Sequence, residues 1–350
     1  MHTAILNIIS LATLLAIGAA NSASAAPWVP QASGTSENLR GICAVSAKVA
    51  WASGAHGTVL RTVDGGVTWE KLRLQGAADL DFRDIQAFDA QEAFALSIGP
   101  GSLSRIYHTV DGGQTWQLQF TNPDSKAFYD CFAFWDRKHG IAISDSVNGK
   151  FPLLITEDGE NWHPLEPQTL SAALPEESCF AASGTSIAVG GKSDAWFVTG
   201  GPAARVFHSG DRGLNWQVVP SPILSGAASK GAFSVAFRDR HTGVVVGGDY
   251  EKPNATDKIA AVSDDGGNRW ALAATGPSGY RSAVAFVPGS SPLVWVAVGT
   301  NGSDSSVDAG KTWQRLDTGI YNAVSFAPSG DGWVVGPKGV LARWKPGRKN

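Results

Sequence analysis

Residues 62–69 read Thr-Val-Asp-Gly-Gly-Val-Thr-Trp, and residues 109–116 repeat this octapeptide with Gln in place of the second Val. Four related copies follow, at residues 156–162, 209–216, 263–270 and 306–313. The six aspartates are Asp64, Asp111, Asp158, Asp211, Asp265 and Asp308, so the repeat is 43 to 54 residues long. A period of this length is typical of one blade of a β-propeller.

The chemistry of this motif, an Asp-box, is that of a tight hairpin. The Asp carboxylate accepts hydrogen bonds from N–H groups of the turn, and Gly adopts the positive φ that the turn requires. The Ser or Thr two positions before the Asp bonds across the same turn, and the Trp begins the next strand as a large packing group. We therefore interpret the six aspartates as structural residues, neither catalytic nor calcium-binding.

The sequence between the boxes also repeats, as short apolar segments separated by turns. Pairs such as Ala87-Phe88 end one segment, and Trp-rich runs such as residues 333–336 form the next. The pattern predicts an all-β fold, a seven-bladed β-propeller with four antiparallel strands per blade. The seventh unit, residues 322–344, lacks an Asp-box and a fourth strand. Residues 28–31 resemble residues 313–316, with Trp28 at the position of Trp313, so Trp28 is predicted to begin that missing strand and close the ring.

Composition narrows the possible functions. The chain has 350 residues, with 28 Lys and Arg against 31 Asp and Glu, a formal charge of −3. Without a basic excess, a nucleic-acid partner is not expected. The sequence contains no phosphate-binding loop, dinucleotide fingerprint or haem-attachment motif, so no cofactor is expected. The spacing of Cys43, Cys131 and Cys179 fits no metal site, and their apolar surroundings favour small buried side chains.

The N-terminus has the pattern of a signal peptide. An apolar run from Ile5 to Ala20 is followed by Ala23-Ser24-Ala25, a cleavage site of small residues. The run is short for a membrane span, and no charged stop-transfer segment follows. We expect residues 1–25 to be removed, and residues 26–350 to form one exported propeller, periplasmic or secreted, without a stable membrane anchor.

The segment Gly-Trp-Val-Val-Gly at residues 332–336, together with the repeated Asp-boxes, resembles the sequence pattern of the photosystem II stability/assembly factor family. The resemblance covers residues 28–344. It implies a seven-bladed propeller that binds protein partners and performs no catalysis. A monomeric scaffold that binds a protein or an acidic peptide is therefore the expected function.

Propeller geometry indicates where a ligand would bind. The Asp-boxes lie on one face, so the loops between the second and third strands and those between blades lie on the other face. Residues that open the inner strands line the mouth of the central channel on this second face, and the loop at residues 249–252 extends it. The predicted ligand-binding residues are Arg40, Arg83, Arg281, Tyr129, Tyr321, Asp84 and Asp130.

The alternative is a glycoside hydrolase of the sialidase-like superfamily, which shares the Asp-box. Sialidases bind a carboxylate with three arginines and use a Tyr–Glu pair as nucleophile. Here the corresponding residues would be Glu177, Tyr129 and Tyr321. The chain lacks the Arg-Ile-Pro motif of sialidases, which are usually six-bladed. A third hypothesis is a carbohydrate-binding protein that uses exposed Trp and Tyr side chains.

Overall fold

A computed structural model describes residues 27–345. The predicted signal peptide lies outside these residues. The described chain folds into seven antiparallel sheets arranged as the blades of a β-propeller, which confirms the predicted fold class. Besides strands, it contains two single-turn 3₁₀ helices, Gly101–Leu103 and Pro337–Gly339. None of its helices is long and apolar enough to span a membrane.

The strands of the first three blades follow one another without interruption, after an N-terminal strand that belongs to the last blade. They are β1 (Trp28–Pro30); in blade 1, β2 (Leu39–Ala44), β3 (Ala50–Gly54), β4 (Thr58–Thr62) and β5 (Glu70–Arg73); in blade 2, β6 (Asp81–Ala87), β7 (Ala93–Ile98), β8 (Arg105–Thr109) and β9 (Gln117–Thr121); and in blade 3, β10 (Tyr129–Phe134), β11 (Gly140–Ser144), β12 (Leu153–Thr156) and β13 (His163–Leu165).

Blade 5 gains a fifth, two-residue strand from the middle of blade 4; the other blades keep four. The remaining strands are, in blade 4, β14 (Ile187–Gly190), β15 (Asp194–Val198), β17 (Arg205–Ser209) and β18 (Gln217–Pro220); in blade 5, β16 (Gly200–Gly201), β19 (Ala227–Phe237), β20 (Gly243–Asp249), β21 (Ala260–Ser263) and β22 (Ala271–Leu272); in blade 6, β23 (Ala283–Val287), β24 (Val294–Gly299), β25 (Gly302–Ser306) and β26 (Gln314–Asp317); and in blade 7, β27 (Ala323–Phe326), β28 (Gly332–Val335) and β29 (Leu341–Trp344).

The ring closes as predicted, through the N-terminal strand. Strand β1 is the outer strand of blade 7 and pairs antiparallel with β29, with Trp28 opposite Trp344. The side chain of Gln31 then accepts hydrogen bonds from the indoles of Trp69, 3.1 Å away, and Trp333, 3.0 Å away. Closure therefore joins blades 7 and 1 through both backbone and side-chain contacts.

The core lies between successive blades. Each second strand contributes large buried side chains, and the indoles of Trp51, Trp196, Trp295 and Trp333 are at most 1% exposed. Burial of apolar surface at each blade interface stabilises the ring. The three cysteines are buried, as their apolar surroundings predicted, and all three are free thiols. Burial raises the pKa of the Cys43 thiol to about 11.

The Asp-box turns show the expected local chemistry. In the first box, the hydroxyl of Thr62 donates to Asp64 at 2.8 Å and accepts from the N–H of Gly66 at 2.8 Å. The hydroxyl of Thr68 donates to the other carboxylate oxygen of Asp64 at 2.6 Å. These bonds, that from Thr68 foremost, lower the pKa of Asp64 to about 2. Gly66 has a φ of +83°, a conformation that side chains with a Cβ rarely adopt.

Candidate functional site

A segment of blade 4 crosses the central channel. The inner strand β14 begins only at Ile187, and residues 180–186, here called the plug, lie inside the ring. Plug atoms bond to the residues at or near the inner strands of five other blades. The bonds are Ala182 with Arg40 (3.4 Å), Ala181 with Arg83 (3.0 Å), Ser186 with Cys131 (2.9 Å), Thr185 with Ser234 (2.7 Å) and Ser183 with Ser282 (2.8 Å).

The plug divides the channel into two spaces. The space on the face opposite the Asp-boxes, here called the mouth pocket, has a volume of about 430 Å³. A second space of about 380 Å³ opens toward the Asp-box face. The main side chains of the mouth pocket are Arg40, Arg83, Phe180, Phe233, Tyr250 and Tyr280. The mouth pocket is therefore a closed-ended recess.

Arg40 is the chemically exceptional residue of this pocket. Its guanidinium is half-buried, and its Nε has no hydrogen-bond partner. In the described part of the chain, no carboxylate lies within salt-bridge distance of it. Burial, and then the positive charge of Arg83, lower the pKa of Arg40. A charged group that is desolvated without a contacting counter-charge favours binding of an anion.

Arg83 contributes a second guanidinium to the same pocket. Its Nε donates to Asp81 at 2.9 Å, and its Nη1 donates to the carbonyl of Ala181. The two arginines and Asp81 together leave one positive charge at the mouth. A guanidinium presents five N–H donors in a fixed plane, so both arginines retain donors for a ligand.

Arg281, the third arginine predicted to bind a ligand, does not lie in the mouth pocket with Arg40 and Arg83. Its side chain is fully buried within blade 6, where its Nε donates to Asp304 at 2.7 Å. It also donates to the carbonyl of Tyr280 and to Asn301. The physical reason is charge pairing, because a buried guanidinium requires a carboxylate beside it. Arg281 stabilises the blade and does not line the pocket.

Glu177 is also absent from the mouth. The inner strand of blade 4 begins ten residues after this glutamate of the hydrolase hypothesis, and the plug lies between them. Its carboxylate is fully buried and accepts hydrogen bonds from Arg205 at 2.7 Å and from the hydroxyl of Thr199 at 2.6 Å. The N–H of Leu174 donates to the same carboxylate at 2.8 Å. A carboxylate held in this way has no free oxygen to act on a substrate.

The two tyrosines of the hydrolase hypothesis do not line the mouth pocket. The hydroxyl of Tyr321 donates to Asp317 at 2.8 Å, and burial raises its pKa. Tyr129 packs edge-on against Phe120, with ring centroids 5.6 Å apart, and burial raises its pKa to about 12. Neither residue contacts Glu177, so the predicted Tyr–Glu constellation is not assembled.

The acidic residues predicted at the mouth are covered. Asp84 accepts a hydrogen bond from the N–H of Phe132 at 2.9 Å and lies against Gly184 of the plug. Asp130 is buried beside Asp145. Burial raises the pKa of both Asp84 and Asp130, and the charge of Asp145 adds to the shift at Asp130. Neither carboxylate lines the mouth pocket.

Four aromatic residues of the pocket were not predicted as site residues. Tyr250 lies in the loop at residues 249–252 that was expected to extend this face. Phe233 aligns with Asp84 and Asp130 at the openings of the inner strands, whereas Phe180 and Tyr280 had no such signal. The sequence does contain a signal for the plug, because the stretch from Cys179 to Trp196 is too long for two strands of a blade. Within residues 27–345, no group of three or more His, Cys, Asp or Glu side chains is arranged to hold a metal ion.

The fold and the pocket define a seven-bladed Asp-box propeller with a plugged channel and a cationic recess opposite the boxes. The family model described as "Photosynthesis system II assembly factor YCF48" matches residues 20–124. No curated protein matches the chain. The chain is thus an Asp-box propeller that resembles the photosystem II assembly factor family.

Solved structures share the fold at low sequence identity. "YCF48 bound to D1 peptide" has a TM-score of 0.63 and 18% identity, covering 91% of this chain and 94% of that chain. YCF48 from Cyanidioschyzon merolae has a TM-score of 0.62 and 19% identity, covering 92% of this chain and 99% of that chain. The WD40 propeller domain of Doa1 has a TM-score of 0.61 and 12% identity, covering 92% and 98%. These similarities establish the architecture.

Proposed function

We propose that this protein is a non-catalytic scaffold that binds a protein partner through an acidic or carboxylate-bearing peptide in the mouth pocket. The observation that carries the proposal is the half-buried guanidinium of Arg40, which has no carboxylate partner. The similarity to YCF48, whose solved structure is of the protein "bound to D1 peptide", supports a peptide as the ligand. The pairing of Glu177 with Arg205, outside the mouth pocket, favours the scaffold over the glycoside hydrolase.

An acidic peptide tests this proposal directly. Calorimetric titration with acetyl-Asp-Glu-Asp-Glu-amide is expected to show binding that weakens as salt is added, because the contacts are between charges. Arg40→Gln and Arg83→Gln are each expected to weaken binding by about 1–3 kcal/mol, roughly 5- to 150-fold. Arg73→Gln is the matched control, since this exposed arginine lies on the outer strand of blade 1.

Two results would overturn the proposal. Equal affinity of the wild type and the Arg40→Gln and Arg83→Gln variants would place the ligand elsewhere. Turnover of any member of a panel of fluorogenic glycosides by the wild type, lost in Glu177→Gln, would restore the hydrolase hypothesis. A pull-down from membrane extracts with wild type and Arg40→Gln in parallel then identifies partners that depend on the pocket.

We further propose that the protein is exported as a monomer after cleavage behind Ala25. The apolar run from Ile5 to Ala20 and the small residues at 23–25 support the export and the cleavage. N-terminal sequencing of protein from the exported fraction is expected to begin at Ala26. Recovery of uncleaved protein from the membrane fraction would contradict it.

A further inference from the structure

The mouth pocket has an ordered aromatic wall beside its arginines. The ring of Phe233 stacks on Phe180, with centroids 3.8 Å apart and planes 11° apart. Tyr280 meets the same ring edge-on at 4.9 Å, and Tyr250 meets it edge-on at 6.1 Å. Stacked and edge-on contacts at these separations are the favourable geometries of aromatic pairs. Phe233 is therefore the centre of a fixed aromatic surface.

This wall remains open to solvent on its ligand side. Tyr250 is 48% exposed, which makes it the most exposed aromatic side chain of residues 27–345. Phe180 is half-buried, although its neighbours Phe233 and Tyr280 are at most 4% exposed. Exposed apolar surface that borders a concave polar site is typical of a ligand-binding surface.

The plug limits what can enter. Its backbone forms the floor of the pocket, where the carbonyls of Ala181 and Ala182 accept from the two arginines. A ligand therefore enters from the mouth and does not pass through the channel. The volume of about 430 Å³ is near the lower end for small-ligand sites, which span roughly 300–1,000 Å³. The recess thus suits one or two side chains of a peptide.

We propose that the mouth pocket binds a peptide tip in which a carboxylate stands next to an aromatic side chain, with the carboxylate on Arg40 and Arg83 and the ring on Tyr250 and Phe180. This inference rests on the proposed function and specifies its ligand class. The ligand carboxylate meets two guanidinium groups that share one carboxylate partner, Asp81. The ligand ring meets aromatic side chains that are partly exposed to solvent. The two halves are held in one recess, so binding of one reduces the entropic cost of binding the other.

Four capped peptides separate these contributions: acetyl-Gly-Asp-Phe-Gly-amide, and its versions with Ala for Phe, with Asn for Asp, and with both changes. Calorimetric titration is expected to give at least tenfold tighter binding for the Asp-Phe peptide than for the Asp-Ala or Asn-Phe peptide. In the protein, Tyr250→Ala is expected to weaken binding of the Asp-Phe peptide five- to tenfold and to leave the affinity for the Asp-Ala peptide unchanged. Tyr250→Phe retains the ring and restores the affinity.

Leu272→Ala is the matched control, since it removes another exposed apolar side chain, on β22, the outer strand of blade 5. Equal affinity of the Asp-Phe and Asp-Ala peptides would overturn the aromatic half and leave the proposed function standing. Equal affinity of the Asp-Phe and Asn-Phe peptides, with no effect of Arg40→Gln, would overturn the proposed function. Tighter binding of 3-phenylpropionate than of the Asp-Phe peptide would assign the pocket to a small aromatic acid and overturn the peptide assignment.

Discussion

Arg40 and Arg281 both lie at or near the starts of inner strands, but only Arg281 has a carboxylate partner for its charge. Arg281 is fully buried with Asp304, and its pKa is lowered by burial while the charge of Asp304 opposes the shift. Arg40 is half-buried and lacks such a partner. Its one hydrogen bond, to the carbonyl of Ala182 at 3.4 Å, is long, so the fold leaves its charge largely available to a ligand.

Substitution by Met, which keeps an apolar stem of similar length, separates the two roles. Arg281→Met leaves the carboxylate of Asp304 buried without its cation and is expected to lower the free energy of unfolding by about 3–5 kcal/mol. Arg40→Met is expected to change it by less than about 1 kcal/mol, in either direction, because no ion pair is broken and the hydrogen bond that is lost, to the carbonyl of Ala182, is long at 3.4 Å. Urea unfolding measures both. Comparable destabilisation by the two substitutions would show that Arg40 is a structural residue.

At the scale of elements, the plug is an irregular segment buried inside the ring. Such a segment needs partners for its backbone groups, since unpaired polar groups are costly away from water. Arg40 and Arg83 donate to two of its carbonyls, and the carbonyls of Thr185 and Ser186 accept from Val235 and Val198. The arginines that form the candidate site therefore also hold its floor.

Gly184 lies at a close approach between the plug and the inner strand of blade 2. It has a φ of +75°, and a Cβ there would lie 2.4 Å from the Oδ1 of Asp84. Gly184→Ala is therefore expected to destabilise the protein by about 1–2 kcal/mol for the backbone conformation and about 1–3 kcal/mol more for the steric conflict. Gly76→Ala is the matched control, with a φ of +72° and open space around the new methyl group. If urea unfolding shows the same loss of unfolding free energy for both substitutions, the plug moves to accommodate the new methyl group without a steric cost.

At the scale of the whole molecule, the sequence predicted the features that local chemistry determines. The six boxes fixed the blade period because each hairpin is built from its own residues, and Trp28 revealed the closure because it matches Trp313. The position of the plug and the ion-pair partners of Arg281 and Glu177 depend on contacts between segments distant in sequence, which the repeat does not encode. One signal for Arg281 was present. Asp304, four residues before its box aspartate, stands where other blades carry Leu60, Tyr107, Leu154, Phe207 and Ala261.

Ring closure by β1 determines the stability of the whole propeller. Trp28 is 4% exposed, its ring packs 4.9 Å from that of Trp344, and its indole donates to Ser303 of blade 6 at 3.1 Å. Deletion of residues 1–31 removes these contacts and those of Gln31, whereas deletion of residues 1–26 retains them. Loss of a buried Trp costs about 3–5 kcal/mol, and each kcal/mol lowers Tm by roughly 1.5 °C in a folded chain of this length, because the unfolding entropy is about 2.1 cal/mol/K per residue. The longer deletion is therefore expected to melt about 5 °C or more below the shorter one in scanning calorimetry, and Trp28→Ala in the full chain should shift Tm in the same direction. Identical melting of the two truncated proteins would show that β1 does not close the ring.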